Sequence, residues 1–188
     1  EEKTIIKLEG EIEELKNHPP LTASTCAGQA NAISRGYPHP VSEQRITGPW
    51  SREQITSFLE TTIIPIRLAS NGAQGPLVQS LWFHFDGEAL WCATQATARL
   101  AQRIERDNRV GFEVSGDEPP YRGVRGTGIA EIQPERAGAI LPHLIDRYQG
   151  DTPTPLSNWL LSRLDSEVAI RITPHTLHTW DYSGRMSR

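Results

Sequence analysis

The dipeptide Asp86–Gly87 stands between two runs of strand-forming residues, and it constrains the fold more than any other short feature of the chain. The runs are "PLVQSLWFHF" at 76–85 and "EALWCAT" at 88–94. An Asp-Gly pair suits a two-residue hairpin turn, because glycine adopts the positive φ that such a turn requires. Strands joined by so short a turn pair antiparallel. The feature therefore predicts an antiparallel sheet.

Other strand patterns lie on both sides of this hairpin, with helical patterns between some of them. Strand patterns cover 62–70, 109–116, 121–132, 166–174 and 175–182. Helical patterns cover 51–59, 97–106, 134–149 (interrupted by Pro142) and 155–164. Six or seven strands, joined mostly by hairpins and flanked by helices, predict a mainly β protein with peripheral helices (α+β) built on an antiparallel barrel.

The first 49 residues differ in composition from the rest, and we expect them to precede one compact domain at 50–188. Residues 1–18 are predicted to form a short amphipathic helix that stops at two prolines. Its apolar positions follow a heptad spacing: Ile5, Leu8, Ile12 and Leu15. Residues 19–49 are rich in Pro, Gly, Ser and Ala without periodicity, which predicts an extended arm or linker.

Composition argues against several classes of protein. The formal net charge is −4, from 19 basic and 23 acidic side chains, so we expect no nucleic-acid partner. No run approaches the roughly 20 apolar residues of a membrane span, and the first residues are acidic, so we expect no membrane partner. The two cysteines, Cys26 and Cys92, form no CxxC pair, and this usage predicts a reducing, cytoplasmic location. The spacing of the six histidines fits no metal site, and Cys92, within a strand pattern, is expected to be buried.

The segment "LWCATQATARLAQRIER" at 90–106 combines a strand, a turn of small residues and a basic helix. The first turn of a helix presents unpaired N–H groups and binds anions such as phosphate. Thr94 adds a hydroxyl, and Arg99 and Arg103 stand one turn apart on one face, with Leu100 inward. The segment predicts a phosphate site. The alternative is that both arginines only solvate a surface helix.

A second candidate is the strand "YRGVRGTG" at 121–128, in which three residues are glycines. Glycine weakens a strand unless a bulge or a close approach of another backbone requires it. Arg125 is therefore interpreted as a cation beside a planar or phosphorylated ligand. A strongly bent barrel strand whose arginines pair with surface acids explains the glycines equally well.

The order of these motifs resembles the pyridoxamine 5'-phosphate oxidase-like, FMN-binding split-barrel superfamily. The resemblance covers roughly residues 52–183. It rests on "GPLVQSLWFHFDGEALWCAT", "ARLAQRIERDNRVGFEV", "YRGVRGTGIAEI" and "VAIRITPHTLHTWD", in that order. It implies a split barrel, FMN as cofactor, and a homodimer with two cofactor sites between the subunits.

The resemblance also implies roles for individual residues. The backbone of Gln79, Ser80, Leu81 and Trp82 would lie along the flavin ring. Thr94 and Arg99 match residues that hold the cofactor phosphate. The family usually has Lys at the next position, where this chain has Leu100, and Arg103 or Arg125 could replace that cation. At Gly123, vitamin-B6 oxidases carry a Gln, so that particular activity is not expected.

The resulting hypothesis is an FMN-dependent oxidoreductase that acts on an unknown small molecule, with no catalytic residue identified. A deazaflavin-dependent reductase is a close variant of this hypothesis. A hypothesis of a different class is a split barrel that binds flavin or haem without turnover. A further one is a scaffold that has lost its cofactor, and Leu100 favours this last hypothesis. Candidate axial ligands for haem are His84, His143, His175, His178 and Cys92.

Overall fold

A computed structural model describes residues 44–186 of the chain. The strands in this part are β1 (Arg45–Thr47), β2 (Ile66–Ser70), β3 (Leu77–Leu81), β4 (His84–Phe85), β5 (Leu90–Gln95), β6 (Arg109–Ser115), β7 (Arg122–Gln133) and β8 (Glu167–Asp181). The α-helices are α1 (Arg52–Thr61), α2 (Arg99–Arg106), α3 (Ala137–Gln149), α4 (Pro155–Leu161) and α5 (Ser183–Met186). The helix predicted at 1–18, and the arm up to residue 43, lie outside the described residues.

Seven of these strands form one antiparallel sheet in the order β3-β2-β6-β7-β8-β5-β4. The two edge strands, β3 and β4, are separated in the chain by Trp82 and Phe83 alone. Because so short a link spans only about 10 Å, the two edges lie close together and the sheet must curl into a barrel. The predicted fold class, a mainly β antiparallel split barrel with peripheral helices, is confirmed.

The strand β1 comes from the end of the segment predicted as an extended arm. It pairs in parallel with β8, and Arg45, Ile46 and Thr47 lie opposite Thr176, Leu177 and His178. The remaining pairs in the sheet are antiparallel. The sheet therefore includes a part of the chain that lacks a clear strand pattern.

The hairpin at Asp86–Gly87 is confirmed, with Gly87 at φ +95°. The run at 76–85, expected to be one strand, is two: Leu77–Leu81 pairs with β2, and His84–Phe85 pairs with β5. The division occurs because the chain passes here from one edge of the sheet to the other. Phe83, which is fully buried, anchors the crossing in the core.

Two prolines do not end the elements that contain them, contrary to the sequence interpretation. The helix α3 continues through Pro142. Pro142 has no N–H to donate to the carbonyl of Gly138, four residues earlier, but Gly138 is exposed, so water can donate to that carbonyl instead. The strand β8 continues through Pro174, so residues 166–182 hold one long strand and not two. Pro174 lies opposite Gly128 at a shift of register in β7, where a proline is tolerated.

Helices α1 and α2 pack their apolar faces into the barrel core. Ile55 and Leu59 of α1, and Leu100 and Ile104 of α2, are at most 2% exposed and belong to one cluster of buried side chains. The capping box predicted at the start of α1 is present, with Ser51 and Gln54 bonded reciprocally. Among the described residues, no helix is long and apolar enough to cross a membrane.

Candidate functional site

The solvent-facing side of α2 carries three arginines: Arg99, Arg103 and Arg106. Their spacing of four and three residues places them on one face of the helix. The opposite face is buried, with Leu100 1% exposed. The helix is therefore held by its apolar side and presents a row of cations.

The loop between β2 and β3 lies across from this row. Arg103 donates from Nη1 to the carbonyl oxygens of Ser70 and Gly75, at 3.4 Å each. Its guanidinium packs against Gly72, where a Cβ would stand 2.6 Å from the Arg103 Cζ. The missing side chain at Gly72 thus makes room for the arginine.

The loop and the helix enclose a cavity of ≈ 520 Å³, here called the arginine cavity. Its lining consists of Asn71, Gly72, Ala73, Gln74, Arg99, Gln102, Arg103, Arg106 and Asp107. Of the predicted site residues, it brings together Arg99 and Arg103. Arg106, Gln102 and the loop were not predicted. Arg106 could have been found, since it continues the row on the same helical face.

The arginine cavity is electropositive. Within the described part of the chain, Arg99, Arg103 and Arg106 form no ion pair with a carboxylate. The one carboxylate in the lining, Asp107, accepts from Arg109 at 2.7 Å and from Asn71 at 3.1 Å. Hydrogen bonds from Arg109 lower the pKa of Asp107 well below its usual range. The Asp107 carboxylate is therefore paired with Arg109 and not with the arginines of the row. Unpaired guanidinium groups around a pocket favour a phosphate or another multivalent anion.

Thr94 does not line the arginine cavity. It lies near the end of β5, opposite Val168 of β8, and is half-buried. The turn after it is tied to the barrel, because Ala96 donates its N–H to the carbonyl of Ser166 at 2.8 Å. The expected role of Thr94 in holding phosphate therefore stays a prediction.

The residues expected along the flavin ring lie on β3 and directly after it. β3 is an edge strand, so alternate backbone N–H and C=O groups point away from β2 and can bind a ligand or another strand. The side-chain oxygen Oε1 of Gln79 is buried without a hydrogen-bond partner in the described structure. Buried polar atoms normally have a hydrogen-bond partner, so this oxygen is available to accept from water or from a ligand.

Ser80, Leu81 and Trp82 line a second cavity of ≈ 290 Å³ between the barrel and helices α3 and α4. Leucines dominate its wall, and we call it the leucine cavity. Its lining consists of Ser80, Leu81, Trp82, Ala93, Leu141, Leu144, Leu156, Leu160 and Glu167. The expected ring-binding strand thus forms one wall of an apolar pocket.

Arg125 lies in a third place, on the outer face of the sheet. It lines a cavity of ≈ 600 Å³ together with Arg45, Arg67 and Phe112, here called the sheet-face cavity. Arg67 is paired with Asp117 at 2.8 Å, whereas the Arg125 guanidinium lies 5.6 Å from the Trp180 ring centroid. Arg125 and Arg99 therefore do not line the same cavity within one subunit.

The glycines of β7 are explained by the packing of the barrel. A Cβ on Gly126 would collide with the carbonyl oxygen of Thr176 and stand 2.7 Å from the Phe112 ring. Gly128 lies at the register shift beside Pro174. Close approach of neighbouring strands thus requires these glycines, and a ligand is not needed to account for them.

Three of the candidate haem ligands, Cys92, His84 and His178, have different surroundings. Cys92 is fully buried, and burial raises the pKa of its thiol far above the ordinary value. His84 packs edge-on against His143, with ring centroids 4.2 Å apart. His178 Nδ1 is 3.0 Å from the hydroxyl of Thr47. Among the described residues, no group of three His, Cys, Asp or Glu could hold a metal ion.

Comparisons with known proteins agree with this architecture. No protein-family model and no curated protein matches the chain. A conserved hypothetical protein from Mycobacterium tuberculosis, of known structure, is 28% identical, with a TM-score of 0.62, over 75% of this chain and 91% of that one. An F420 reductase is also 28% identical, with a TM-score of 0.55, over 64% and 93%.

A third structure extends the comparison at the level of the fold. It is a protein related to general stress protein 26, of the pyridoxinephosphate oxidase family, from Clostridium acetobutylicum. It is 17% identical, with a TM-score of 0.54, over 71% of this chain and 92% of that one. The curled sheet, its strand order and these likenesses define a split-barrel protein. The chain has the fold of the pyridoxamine 5'-phosphate oxidase-like split-barrel proteins, as the sequence motifs predicted.

Proposed function

We propose that the chain is an oxidoreductase that uses a flavin-type cofactor, with the cofactor phosphate bound in the arginine cavity. The observation that carries the proposal is the row of three arginines, none of them paired with a described carboxylate, facing the loop at 71–74. A phosphate group can accept hydrogen bonds from several guanidinium groups, and guanidinium groups that are not paired with carboxylates remain available to donate to it. When bound, the cofactor would supply the hydride chemistry, and the protein would orient it.

The cavity fits such a phosphate end. Gly72 leaves space for the Arg103 guanidinium, and Arg103 is fixed by two backbone carbonyls. Leu100, which stands where the family usually has a lysine, faces the core and contributes no charge to the cavity. Arg106 supplies a third cation in its place. The departure at Leu100 is therefore compensated on the same helix.

Two cofactors are candidates for this site: FMN, which the sequence motifs favour, and a deazaflavin. The deazaflavin is favoured by the 28% identity to an F420 reductase, since F420 is a deazaflavin cofactor with a phosphorylated side chain. The structure from the pyridoxinephosphate oxidase family is only 17% identical to this chain and informs only on its fold. We therefore propose the deazaflavin as the first candidate and FMN as the second.

We further propose that the protein is a homodimer with cofactor sites between the subunits. In one subunit, Arg99 and Arg125 line separate cavities. One cofactor can contact both sets of residues only if two subunits contribute. The edge strand β3 supports this arrangement, because Val78 is 61% exposed and lines the sheet-face cavity. Sedimentation of the purified protein tests the dimer, and a monomer with full cofactor affinity would refute it.

A binding titration tests the cofactor site. FMN and F420 are each titrated into the purified protein, with fluorescence of the cofactor as the signal. Arg99→Ala is expected to weaken binding about 10- to 100-fold, the usual effect of losing a charged hydrogen bond. Arg185→Ala, which removes an exposed arginine of α5 that does not line the arginine cavity, serves as the control. Equal affinities for wild type and Arg99→Ala would reject the phosphate assignment.

A further inference from the structure

The leucine cavity differs chemically from the arginine and sheet-face cavities. Its apolar wall is made by Leu81, Trp82, Leu141, Leu144, Leu156 and Leu160. None of the residues in its lining is basic, whereas the arginine and sheet-face cavities each contain several arginines. An anion that entered the leucine cavity would lose its hydration without gaining a cation. The cavity therefore favours an uncharged occupant.

The aromatic wall of the cavity is held in a fixed position. The Trp82 ring stacks on Tyr148, with centroids 5.1 Å apart and the planes 11° from parallel. The Tyr148 hydroxyl donates to the carbonyl of Ile64 at 3.2 Å and accepts from the N–H of Phe83 at 3.3 Å. Trp82 is thus fixed between β3 and α3, so a flat apolar surface exists before any ligand binds.

The single carboxylate in the lining, Glu167, is already neutralised. Its Oε1 accepts from Arg163 at 2.9 Å, and its side chain is 5% exposed. Arg163 in turn lies over the ring of Trp159, 4.1 Å from the centroid, on the outer side of α4. The paired carboxylate therefore offers no free charge to attract a cation. The hydroxyl of Ser80 is left as a small polar contact.

The position of the cavity connects it with the proposed chemistry. Ser80, Leu81 and Trp82 belong to the stretch expected to lie along the cofactor ring, and the same residues line the cavity. We propose that the leucine cavity binds the substrate, and that this substrate is an uncharged, largely apolar molecule of one or two rings. Its volume, ≈ 290 Å³, is just below the usual range for small-molecule pockets, about 300–1,000 Å³, which suits a small ligand. The role as substrate rests on the proposed oxidoreductase function, while the ligand class rests on the cavity alone.

Binding of a matched pair of probes tests the ligand class without any cofactor. The uncharged probe is 2-naphthol, and its anionic counterpart with the same ring system is 2-naphthoate, each titrated calorimetrically at pH 7. We expect 2-naphthol to bind at least about ten-fold more tightly, because burying an unpaired carboxylate costs more than 1.4 kcal/mol, the equivalent of that ratio. Absence of 2-naphthol binding up to its solubility, or equal binding of the two probes with both weakened by Leu156→Gln, overturns the proposal.

Two leucines of α4 provide a matched pair of variants. Leu156 lines the cavity and is 43% exposed, whereas Leu161 does not line it and is 41% exposed. Leu156→Gln is expected to weaken 2-naphthol binding about five-fold through lost apolar contact, and Leu161→Gln to leave it unchanged. Equal effects of the two substitutions overturn the assignment to this cavity.

The cofactor titrations described above distinguish this proposal from the proposed function. A protein that binds neither FMN nor F420, but discriminates the probes and the two leucine variants as expected, would reject the oxidoreductase function and support the ligand class. A protein that binds F420 but not 2-naphthol would support the function and overturn the substrate class.

Discussion

The guanidinium group of Arg103 packs directly against Gly72, so closely that a Cβ on Gly72 would stand 2.6 Å from both Cζ and Nη1. Gly72 does not have the positive φ that only glycine readily adopts, since the positive-φ glycines in the described chain are Gly48, Gly75, Gly87 and Gly150. The lack of a side chain at Gly72 therefore serves the arginine and not the turn. This contact allows the geometry of the arginine cavity to be changed without removing a charge.

Gly72→Ala is expected to weaken FMN or F420 binding several-fold while leaving the fold intact. The new methyl group would displace the Arg103 guanidinium and its bonds to Ser70 and Gly75, at a cost of about 1 kcal/mol in affinity. The free energy of unfolding should change by less than about 1 kcal/mol, because alanine fits this backbone conformation. Cofactor titration and urea denaturation measure the two quantities.

Gly138→Ala is the control for this substitution. A Cβ at this exposed position of α3 would meet no other atom within 4 Å. Alanine should stabilise the protein by about 0.5–1 kcal/mol through its helix propensity and leave cofactor affinity unchanged. A similar loss of affinity in both glycine variants would show that the contact between Gly72 and Arg103 does not contribute to cofactor binding.

Leu100→Lys restores the cation that the family usually carries at this position, but we expect it to destabilise the protein and not to improve binding. Leu100 is 1% exposed in the main core cluster, and an unpaired ammonium group there should cost about 3 kcal/mol or more. Thermal denaturation should show a clear drop in Tm.

Gln102→Lys places the same charge on an exposed residue of the arginine cavity, and should retain the wild-type Tm and bind cofactor more tightly. A stable Leu100→Lys variant with raised affinity would contradict the inward orientation of Leu100.

Asp86 makes stability depend on pH at the hairpin between β4 and β5. Partial burial opposes its ionisation, but hydrogen bonds from the N–H groups of Ala89 and Glu88 and from Trp91 Nε1 outweigh that effect, so the pKa of Asp86 is lowered. Its contribution to stability is fully present above the unfolded pKa, about 3.9, and is lost as the pH falls through the lower folded pKa. Asp86→Asn should therefore be less stable than wild type at pH 6 by about 1 kcal/mol, and the difference should shrink below pH 4.

Urea denaturation between pH 2 and 6 measures this dependence. Glu88→Gln, the removal of a neighbouring exposed carboxylate, is the control and should leave the profile unchanged. A constant difference between wild type and Asp86→Asn at every pH would assign the loss to turn geometry instead of ionisation.

Local chemistry made part of the fold predictable from sequence. The Asp86–Gly87 pair identified a hairpin because few other dipeptides suit that turn, and Ser51 with Gln54 identified the start of α1 because the two residues cap it reciprocally. The inward face of α2 followed from the spacing of Leu100 and Ile104. Each of these features depends on residues within one turn of each other.

Features that depend on distant residues were not predictable. β1 has only three residues, and its pairing is provided by β8 about 130 positions later. Pro142 and Pro174 suggested breaks, but the exposed Gly138 carbonyl and the bulge at Gly128 let the helix and the strand continue. In the site, Arg99 and Arg103 could be found from helical spacing, whereas the loop at 71–74 has no pattern that links it to α2.

The pair formed by His84 and His143 leads to a final prediction. Burial, the neighbouring His143 and the Arg147 guanidinium lower the pKa of His84, and Asp86 and Glu60 only partly oppose them. Because the folded state favours the neutral imidazole, stability should fall as the pH drops below the unfolded value of about 6.5.

In a proton NMR titration, we expect His84 to titrate below that value, and its pKa to rise in His143→Gln. His175→Gln, a substitution on β8 instead of α3, should leave the His84 titration unchanged. An unaltered His84 pKa in His143→Gln would mean that the ring contact at 4.2 Å has no electrostatic effect on His84.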